Sequence, residues 1–172
     1  MSGLIHIYCG DGKGKTTAAI GLAIRAAGAG KKVVFAQFFK DGSSSEISVL
    51  QTVANIRTAH CDTVRGLWKR MSDAQKAQAS KDYTSFFAEI VVLAKDADLL
   101  VLDEIVSACT HGTVAETAIL DFLRDKPNGL EVVLTGRNPS EELLELADYV
   151  SEMRKIKHPY DCGIAAREGI EF

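Results

Sequence analysis

The chain has 172 residues, a length that fits one domain with a sizeable hydrophobic core. Its 20 basic and 23 acidic side chains leave a formal net charge of -3, which indicates neither a nucleic-acid-binding surface nor a basic membrane face. The first residues, MSGLIHIYCG, lack the basic stretch and apolar core of a signal peptide, and no later apolar run reaches the length of a membrane span.

Apolar runs alternate with segments of helical period along the chain. In chain order the pattern predicts a strand at 4–9, a helix at 16–30, a strand at 32–38, a polar loop at 39–46, a helix at 74–95, a strand at 99–104, a helix at 114–123, a strand at 130–137, a helix at 140–147 and a strand at 148–156. Residues 54–72 show no clear period. Strands that are apolar on both faces and separated by helices indicate an α/β fold, with a mostly parallel sheet covered by helices on both faces. No repeat or linker interrupts this order, so residues 1–172 are predicted to form a single domain.

The first strand is followed by GDGKGKTT, which is typical of a phosphate-binding loop. The spacing is one residue short of the usual pattern, because only three residues separate Gly10 from Gly14. Glycines let backbone N–H groups approach an anion, and the following helix adds its positive end. The candidate phosphate ligands are Gly10, Asp11, Gly12, Lys13, Gly14, Lys15, Thr16 and Thr17. A glycine-rich turn without a ligand is the alternative.

Two acidic residues, Asp103 and Glu104, end the apolar run LLVLDE. Ligands of open α/β sheets bind at the carboxyl ends of the strands, and Mg²⁺ prefers carboxylate and phosphate oxygens. We therefore expect one of these acids to complete a metal site with Thr16, the alternative being a helix cap or a surface acid pair. Arg137 follows another predicted strand, where it could clamp a phosphate or pair with Asp103 or Glu141.

The four cysteines, at positions 9, 61, 109 and 162, form no Cys-x-x-Cys pair and have no histidine at zinc-ligand spacing. We therefore expect reduced thiols in a cytoplasmic protein.

Four stretches give the chain a specific resemblance: GDGKGKTTAAIGLAIRAAG, KKVVFAQFFKDG, LLVLDEI and VVLTGRNPSEELLELADYVSEMRKIKHPYDCGIAAREGIEF. With these stretches the chain resembles the ATP:corrinoid adenosyltransferases. The resemblance implies a RecA-like P-loop fold, with ATP and a cobalamin or precursor corrinoid as substrates and Mg²⁺ or Mn²⁺ as the metal. It implies that Co(I) attacks C5′ of ATP and that triphosphate leaves, with ATP lying in the loop opposite to its usual direction. It also implies a homodimer and a flavodoxin-type reductant.

The resemblance assigns roles to individual positions. Lys15, Thr16 and Glu104 are expected to serve catalysis, with Thr16, Glu104 and Asp103 at the metal. Arg25 matches a family arginine that would contact the nucleotide, although a solvated position on the helix fits equally well. His158 matches a family histidine, which we interpret as structural or pocket-lining rather than catalytic.

The corrinoid would meet Trp68 and Leu67, in RGLWKRM, where the family often has a Gly-Phe-x-Trp pattern. Trp68 could alternatively be a core aromatic. A second departure is that the first strand begins by residue 4, whereas longer family members carry an N-terminal extension that covers the nucleotide. The rival functions are a conventional P-loop ATPase or kinase and a nucleotide-binding module without turnover.

Overall fold

The structure is a computed structural model that describes residues 2–40, 42–62, 68 and 71–171. Its strands are β1 (Ile5–Cys9), β2 (Val33–Gln37), β3 (Ile56–His60), β4 (Leu99–Asp103), β5 (Glu131–Thr135) and β6 (Tyr149–Glu152). They form one sheet in the order β3-β2-β4-β5-β1-β6, and every neighbouring pair is parallel. The predicted α/β class and parallel sheet are confirmed.

The helices lie on both faces of the sheet, as predicted. They are α1 (Lys15–Gly28), α2 (Ser45–Leu50), α3 (Asp73–Leu93), α4 (Ile105–Thr110), α5 (Glu116–Asp125) and α6 (Glu141–Leu146), and short 3₁₀ turns follow at Ala94–Asp96 and Pro159–Cys162. Buried residues of α1 and α2 pack against one face of the sheet, and those of α3, α4, α5 and α6 pack against the other. None of the helices in the described ranges is both long and apolar enough for a membrane crossing.

The middle strands are apolar on both faces because both faces are covered. All five residues of β4, LLVLD, are buried, and Leu100 and Val101 belong to the hydrophobic clusters on opposite faces. The parallel register sets Gln37 of β2 beside Asp103 of β4, and Val101 beside Val133 of β5. The carboxyl ends of β1, β2, β4 and β5 therefore meet at one edge, where the following loops can share a site.

Some predicted boundaries are wrong, most of all at the last strand. The last strand was predicted over 148–156, but β6 ends at Glu152, and every residue of β6 is exposed. The chain then leaves the sheet edge and follows the phosphate loop, where backbone bonds to that loop replace strand pairing. The helix predicted at 114–123 spans Glu116–Asp125 instead.

The prediction also missed three short elements. β3 lies inside the stretch without a clear period, because its last four residues are not fully buried and show no strict alternation. The helices α2 and α4 have only six residues each, too few to reveal a helical period.

Candidate active site

The phosphate loop joins β1 to α1 and ends in a left-handed glycine. Gly14 caps the helix with a φ of 119°, a conformation that other residues rarely adopt. The Lys15 side chain turns back over the loop, where its ammonium group donates to the carbonyl oxygens of Gly10 at 2.8 Å and Gly12 at 2.9 Å. Burial lowers the pKa of Lys15 below its usual value. The lysine is thus buried within the loop, where an anion would gain most from its charge.

The carboxyl-terminal segment crosses the same loop from the other side. The N–H of Gly12 donates to the carbonyl oxygen of Met153 at 2.6 Å, and the N–H of Lys155 donates to Asp11 Oδ1 at 2.9 Å. A Cβ atom at Gly10 or Gly12 would lie 2.4 or 2.6 Å from the Met153 carbonyl oxygen. The structure therefore explains these two glycines by the close approach of Met153, a contact that the loop motif alone does not predict.

Asp103 joins the loop to three strands. Its side chain is fully buried, and Oδ1 accepts hydrogen bonds from Thr16 at 2.9 Å and Thr135 at 2.7 Å. Its other oxygen accepts from Gln37 at 3.3 Å and lies 3.3 Å from the Lys40 ammonium. A buried carboxylate needs such partners, because an unpaired charge in the interior is costly. Asp103 is thus hydrogen-bonded to Thr16, the residue with which one of the two acids was expected to form a metal site.

Lys40 brings a cation to this edge from the end of β2. It lies 3.1 Å from Glu46 Oε1 as well as beside Asp103, so one ammonium group bridges two carboxylates. Burial lowers the pKa of Lys40, but the charges of Asp103 and Glu46 outweigh it and raise the value above the usual range. The group therefore remains charged at neutral pH.

Glu104 begins α4 with a left-handed backbone, at a φ of 63°. Its N–H donates to Thr135 Oγ1 at 2.8 Å, and its carboxylate accepts from Ser107 at 2.5 Å. The expectation of a helix cap is therefore correct for the backbone of Glu104, while its side chain also lines the cavity beside the loop. Left-handed backbone at a non-glycine residue costs energy and is often found at functional sites.

A cavity of about 740 Å³ opens at this edge. The lining residues that the sequence predicted are Asp11, Gly12, Lys13, Gly14, Lys15, Thr16, Thr17, Glu104, Arg137 and His158. Arg137 forms no ion pair with Asp103 or Glu141 in the described part of the chain. Nδ1 of His158 accepts from the N–H of Tyr160 at 3.2 Å, which caps the last 3₁₀ turn. Arg25 is exposed on α1 and is absent from the cavity lining.

The cavity also contains residues that the sequence reading did not select, from two separate regions. They include Lys40 and Glu46 after β2, and Ala166, Ile170 and Glu171 in the carboxyl-terminal segment. Only Lys40 has a sequence signal, because it follows a buried strand. Assigning it to the site also requires the strand order, in which β2 lies directly beside β4.

An aromatic cluster lies next to Lys40. Phe39 has its ring centroid 5.9 Å from that of Trp68, 5.4 Å from His111 and 5.1 Å from Tyr83. Trp68 and His111 are 5.8 Å apart, and Trp68 is half-buried against the main core. Trp68 is thus partly a core aromatic and partly accessible, and Leu67 lies outside the described residues.

The cysteines form no disulfide in the described part of the chain, and none belongs to a cluster of metal ligands there. Within the described ranges, no group of three or more His, Cys, Asp or Glu side chains is arranged to hold a metal ion. Burial raises the pKa of Cys109 to about 12, so this thiol stays protonated at neutral pH.

A family model described as ATP:corrinoid adenosyltransferase BtuR/CobO/CobP matches residues 1–172. The chain is 32% identical to a corrinoid adenosyltransferase of Escherichia coli K12 over 178 residues, covering 99% of this chain and 86% of that one. It is 33% identical to a corrinoid adenosyltransferase of Pseudomonas aeruginosa over 174 residues, covering 99% and 84% of the two chains.

Among solved structures, a KaiC-like protein from Pyrococcus horikoshii OT3 has a similar fold. It superposes with a TM-score of 0.55 and 18% sequence identity, over 91% of this chain and 75% of that chain. The fold is therefore RecA-like, as the sequence predicted.

Proposed function

The chain belongs to the ATP:corrinoid adenosyltransferase family, and on that premise we propose that the cavity at the phosphate loop is where it transfers the 5′-deoxyadenosyl group of ATP to the Co(I) of a corrinoid. The enzyme is a transferase, and the alternative of a conventional P-loop ATPase or kinase is not favoured. The product would be an adenosylated corrinoid, formed in adenosylcobalamin synthesis or salvage.

The observation that carries this proposal is the gathering of cations around one loop. The cavity lining includes Lys13, Lys15, Lys40 and Arg137, which come from the loop, from the end of β2 and from the end of β5. In the proposed step the electron pair of Co(I) forms a bond to C5′, and the C5′–O5′ bond breaks. Its electron pair leaves with triphosphate, so negative charge grows on the phosphates as the bond breaks.

Cations placed before the reaction stabilise this growing charge without having to reorganise. Each gain of about 1.4 kcal/mol in preferential stabilisation of the leaving group raises the rate about tenfold. No protein nucleophile or general base is required, because Co(I) itself is the nucleophile and no proton is transferred. The loop would therefore hold all three phosphates as a leaving group, with C5′ facing the corrinoid, which is the reversed direction of ATP that the family resemblance implies.

The oxygen donors beside the loop fit Mg²⁺. The Thr16 hydroxyl and the Glu104 carboxylate line the cavity, and Asp103 accepts a hydrogen bond from Thr16. Mg²⁺ is usually held by one or two carboxylates together with phosphate oxygens, so a complete protein cage is not required. We propose that Thr16 and Glu104 hold the ion with Asp103 beside them, and that Mg²⁺ neutralises phosphate charge when it is bound.

The corrinoid would lie against the aromatic cluster of Phe39, Trp68, Tyr83 and His111. The location of the cluster supports this proposal, because Phe39 is adjacent in sequence to Lys40, which lines the cavity. We propose that Trp68 faces the lower side of cobalt and that this contact excludes a lower axial ligand. Trp68→Ala should then slow the reaction that starts from Co(II) more than the reaction from pre-reduced Co(I), and equal losses would contradict the role.

Two interactions and a location follow from the family resemblance. We propose that the enzyme forms a homodimer, that it receives electrons from a flavodoxin-type reductant, and that it works in the cytoplasm. The absence of a disulfide among the described residues is compatible with a reducing compartment.

One assay tests the proposed function. The enzyme is incubated with Mg-ATP and chemically reduced cobalamin, and the phosphorus products are identified while the absorption spectrum is recorded. The expected result is inorganic triphosphate in step with the spectrum of a new cobalt–carbon bond. ADP or phosphate without that spectrum would support an ATPase or kinase instead, and no product would support a binding module.

A further inference from the structure

The segment after β6 forms a wall of the phosphate cavity. Met153 accepts a hydrogen bond from the Gly12 amide, and later residues of the segment, among them Ala166, Ile170 and Glu171, line the same cavity. The segment is largely exposed on its other side, where Ile156 and Tyr160 are 88% and 74% exposed. Its position therefore depends mainly on contacts with the loop and on bonds within the segment.

The strongest bonds within the segment join Arg167 to Glu171. The backbone N–H of Arg167 donates to Glu171 Oε2 at 2.8 Å, the guanidinium Nε donates to the same oxygen at 3.2 Å, and Nη2 donates to Oε1 at 3.0 Å. The side chain of Glu171 is only 17% exposed, whereas that of Arg167 is 59% exposed. The arginine thus covers the carboxylate from the solvent side, and the carboxylate lines the cavity.

Glu171 carries a full negative charge in this position. The hydrogen bonds from the Arg167 side chain and backbone, together with the charge of Lys13, lower the pKa of Glu171 to about 2. The carboxylate is therefore ionised at every pH at which the enzyme would work, and Lys13 belongs to the loop that is meant for phosphates.

This arrangement places an anion of the chain in a cavity built for an anionic ligand. A polyphosphate that enters the cavity meets the like charge of Glu171, which lines the same cavity as Lys13. Arg167 lies outside the cavity lining and holds the Glu171 carboxylate in a bidentate manner, so its guanidinium keeps this charge in place.

We propose that Glu171 is an internal anion of the phosphate cavity, that Arg167 holds it there, and that the triphosphate of ATP displaces its carboxylate on binding. The identity of the ligand rests on the proposed function. Arg167 is then a positioning residue for Glu171, and the charge of Glu171 weakens the binding of polyanions.

The first test measures the affinity of the full chain for inorganic tripolyphosphate by calorimetry. Glu171→Gln keeps the shape of the side chain and removes its charge, so tripolyphosphate should bind about threefold or more tightly than to the unchanged chain. Glu168→Gln is the matched control, because Glu168 is an exposed acid of the same segment outside the cavity lining. Unchanged or weaker binding by Glu171→Gln, or an equal gain by Glu168→Gln, would overturn the proposal.

The second test asks whether Arg167 acts through Glu171. In the Glu171→Gln background there is no carboxylate charge left to hold, so Arg167→Gln should change tripolyphosphate binding by less than about twofold. A loss of about fivefold or more in that background would mean that Arg167 binds the ligand itself, and it would overturn the positioning role. Glu171→Ala repeats the first test with a second variant, and thermal unfolding without ligand verifies that each variant folds.

The two proposals fail in different ways. If the unchanged enzyme adenosylates reduced cobalamin while Glu171→Gln shows no gain in affinity, only the internal-anion proposal is wrong. If Glu171→Gln shows the gain and no cobalt–carbon bond forms with the unchanged enzyme, the proposed reaction is wrong. An unchanged chain and variants that all fail to bind tripolyphosphate would also overturn the internal-anion proposal.

Discussion

Two walls support the phosphate loop, and they are built differently. We call Gln37, Asp103 and Thr135 the sheet wall, and Met153, Lys155 and Glu171 the tail wall. The sheet wall is fully buried, and Asp103 in it accepts hydrogen bonds from both Gln37 and Thr135. The tail wall is half-buried or exposed, and Met153 and Lys155 each form one backbone hydrogen bond with the loop. Buried, mutually bonded groups resist local opening, while exposed backbone contacts open at low cost. We therefore infer that the sheet wall fixes the loop and that the tail wall is the side that responds to a ligand.

The largest effect is expected from breaking the loop that both walls share. Lys15→Ala removes the buried ammonium group that bonds to the carbonyl oxygens of Gly10 and Gly12. ATP binding should weaken about 100-fold or more, and turnover should be lost mainly for that reason. Calorimetric titration with Mg-ATP measures the change, and Lys31→Ala, at an exposed lysine after α1, is the control. Normal turnover by Lys15→Ala would remove the loop from the mechanism.

A large loss of stability is expected from the sheet wall. Asp103→Asn leaves Lys40 without one of its two carboxylates and disturbs the bonds from Thr16 and Thr135. We expect the free energy of unfolding to fall by about 3 kcal/mol, because these partners are left imperfectly paired in a buried place. Urea denaturation measures this change in the free energy of unfolding, and Asp121→Asn, at an exposed site, is the control. A loss no greater than that of the control would contradict the fixed character of the sheet wall.

A smaller effect is expected where the tail wall meets the loop. The Cβ atom of Gly12→Ala would lie 2.6 Å from the Met153 carbonyl oxygen, so the two backbones must separate. We expect a loss of about 1–2 kcal/mol in the free energy of unfolding, less than for Asp103→Asn. In contrast, Gly21→Ala in the middle of α1 meets no atom within 4 Å and should stabilise the chain by about 0.5–1 kcal/mol. An unchanged free energy of unfolding for Gly12→Ala would contradict the close contact between the tail wall and the loop.

The smallest effect is expected from pH. The pKa of Glu171 is lowered to about 2, so its contact with Arg167 is fully present above the usual carboxylate pKa and is lost only as pH falls through the lowered value. The ratio of tripolyphosphate affinities between Glu171→Gln and the unchanged chain should therefore stay constant from about pH 5.5 to 8. A ratio that changes across this range would contradict the assignment of the effect to the charge of Glu171.

The sequence alone predicts those parts of the site that are defined by a motif and the residues next to it in the chain. The glycine and lysine spacing identified the loop, and the apolar run before Asp103 placed that residue at the carboxyl end of a buried strand next to the loop. Both inferences rest on local rules, namely that helix starts bind anions and that strand ends collect ligands.

The remaining residues of the site could not be predicted because they meet the loop only through long-range packing. Lys40 reaches Asp103 because β2 pairs with β4, and a sequence does not state the order of strands. Met153 was assigned to a strand, but the chain leaves the sheet there to bond with Gly12. Glu171 sits in an exposed, non-periodic segment, where no pattern distinguishes it from Glu168.

The most direct measurement follows the oxygen atom that joins C5′ of ATP to its α-phosphorus. ATP carrying ¹⁸O at this position is turned over with reduced cobalamin, and the phosphorus product is analysed by mass. We predict inorganic triphosphate that retains the label, because the bond between C5′ and this oxygen breaks. Label that stays on an adenosine-containing product would mean that a phosphorus–oxygen bond breaks instead, and it would contradict triphosphate as the leaving group.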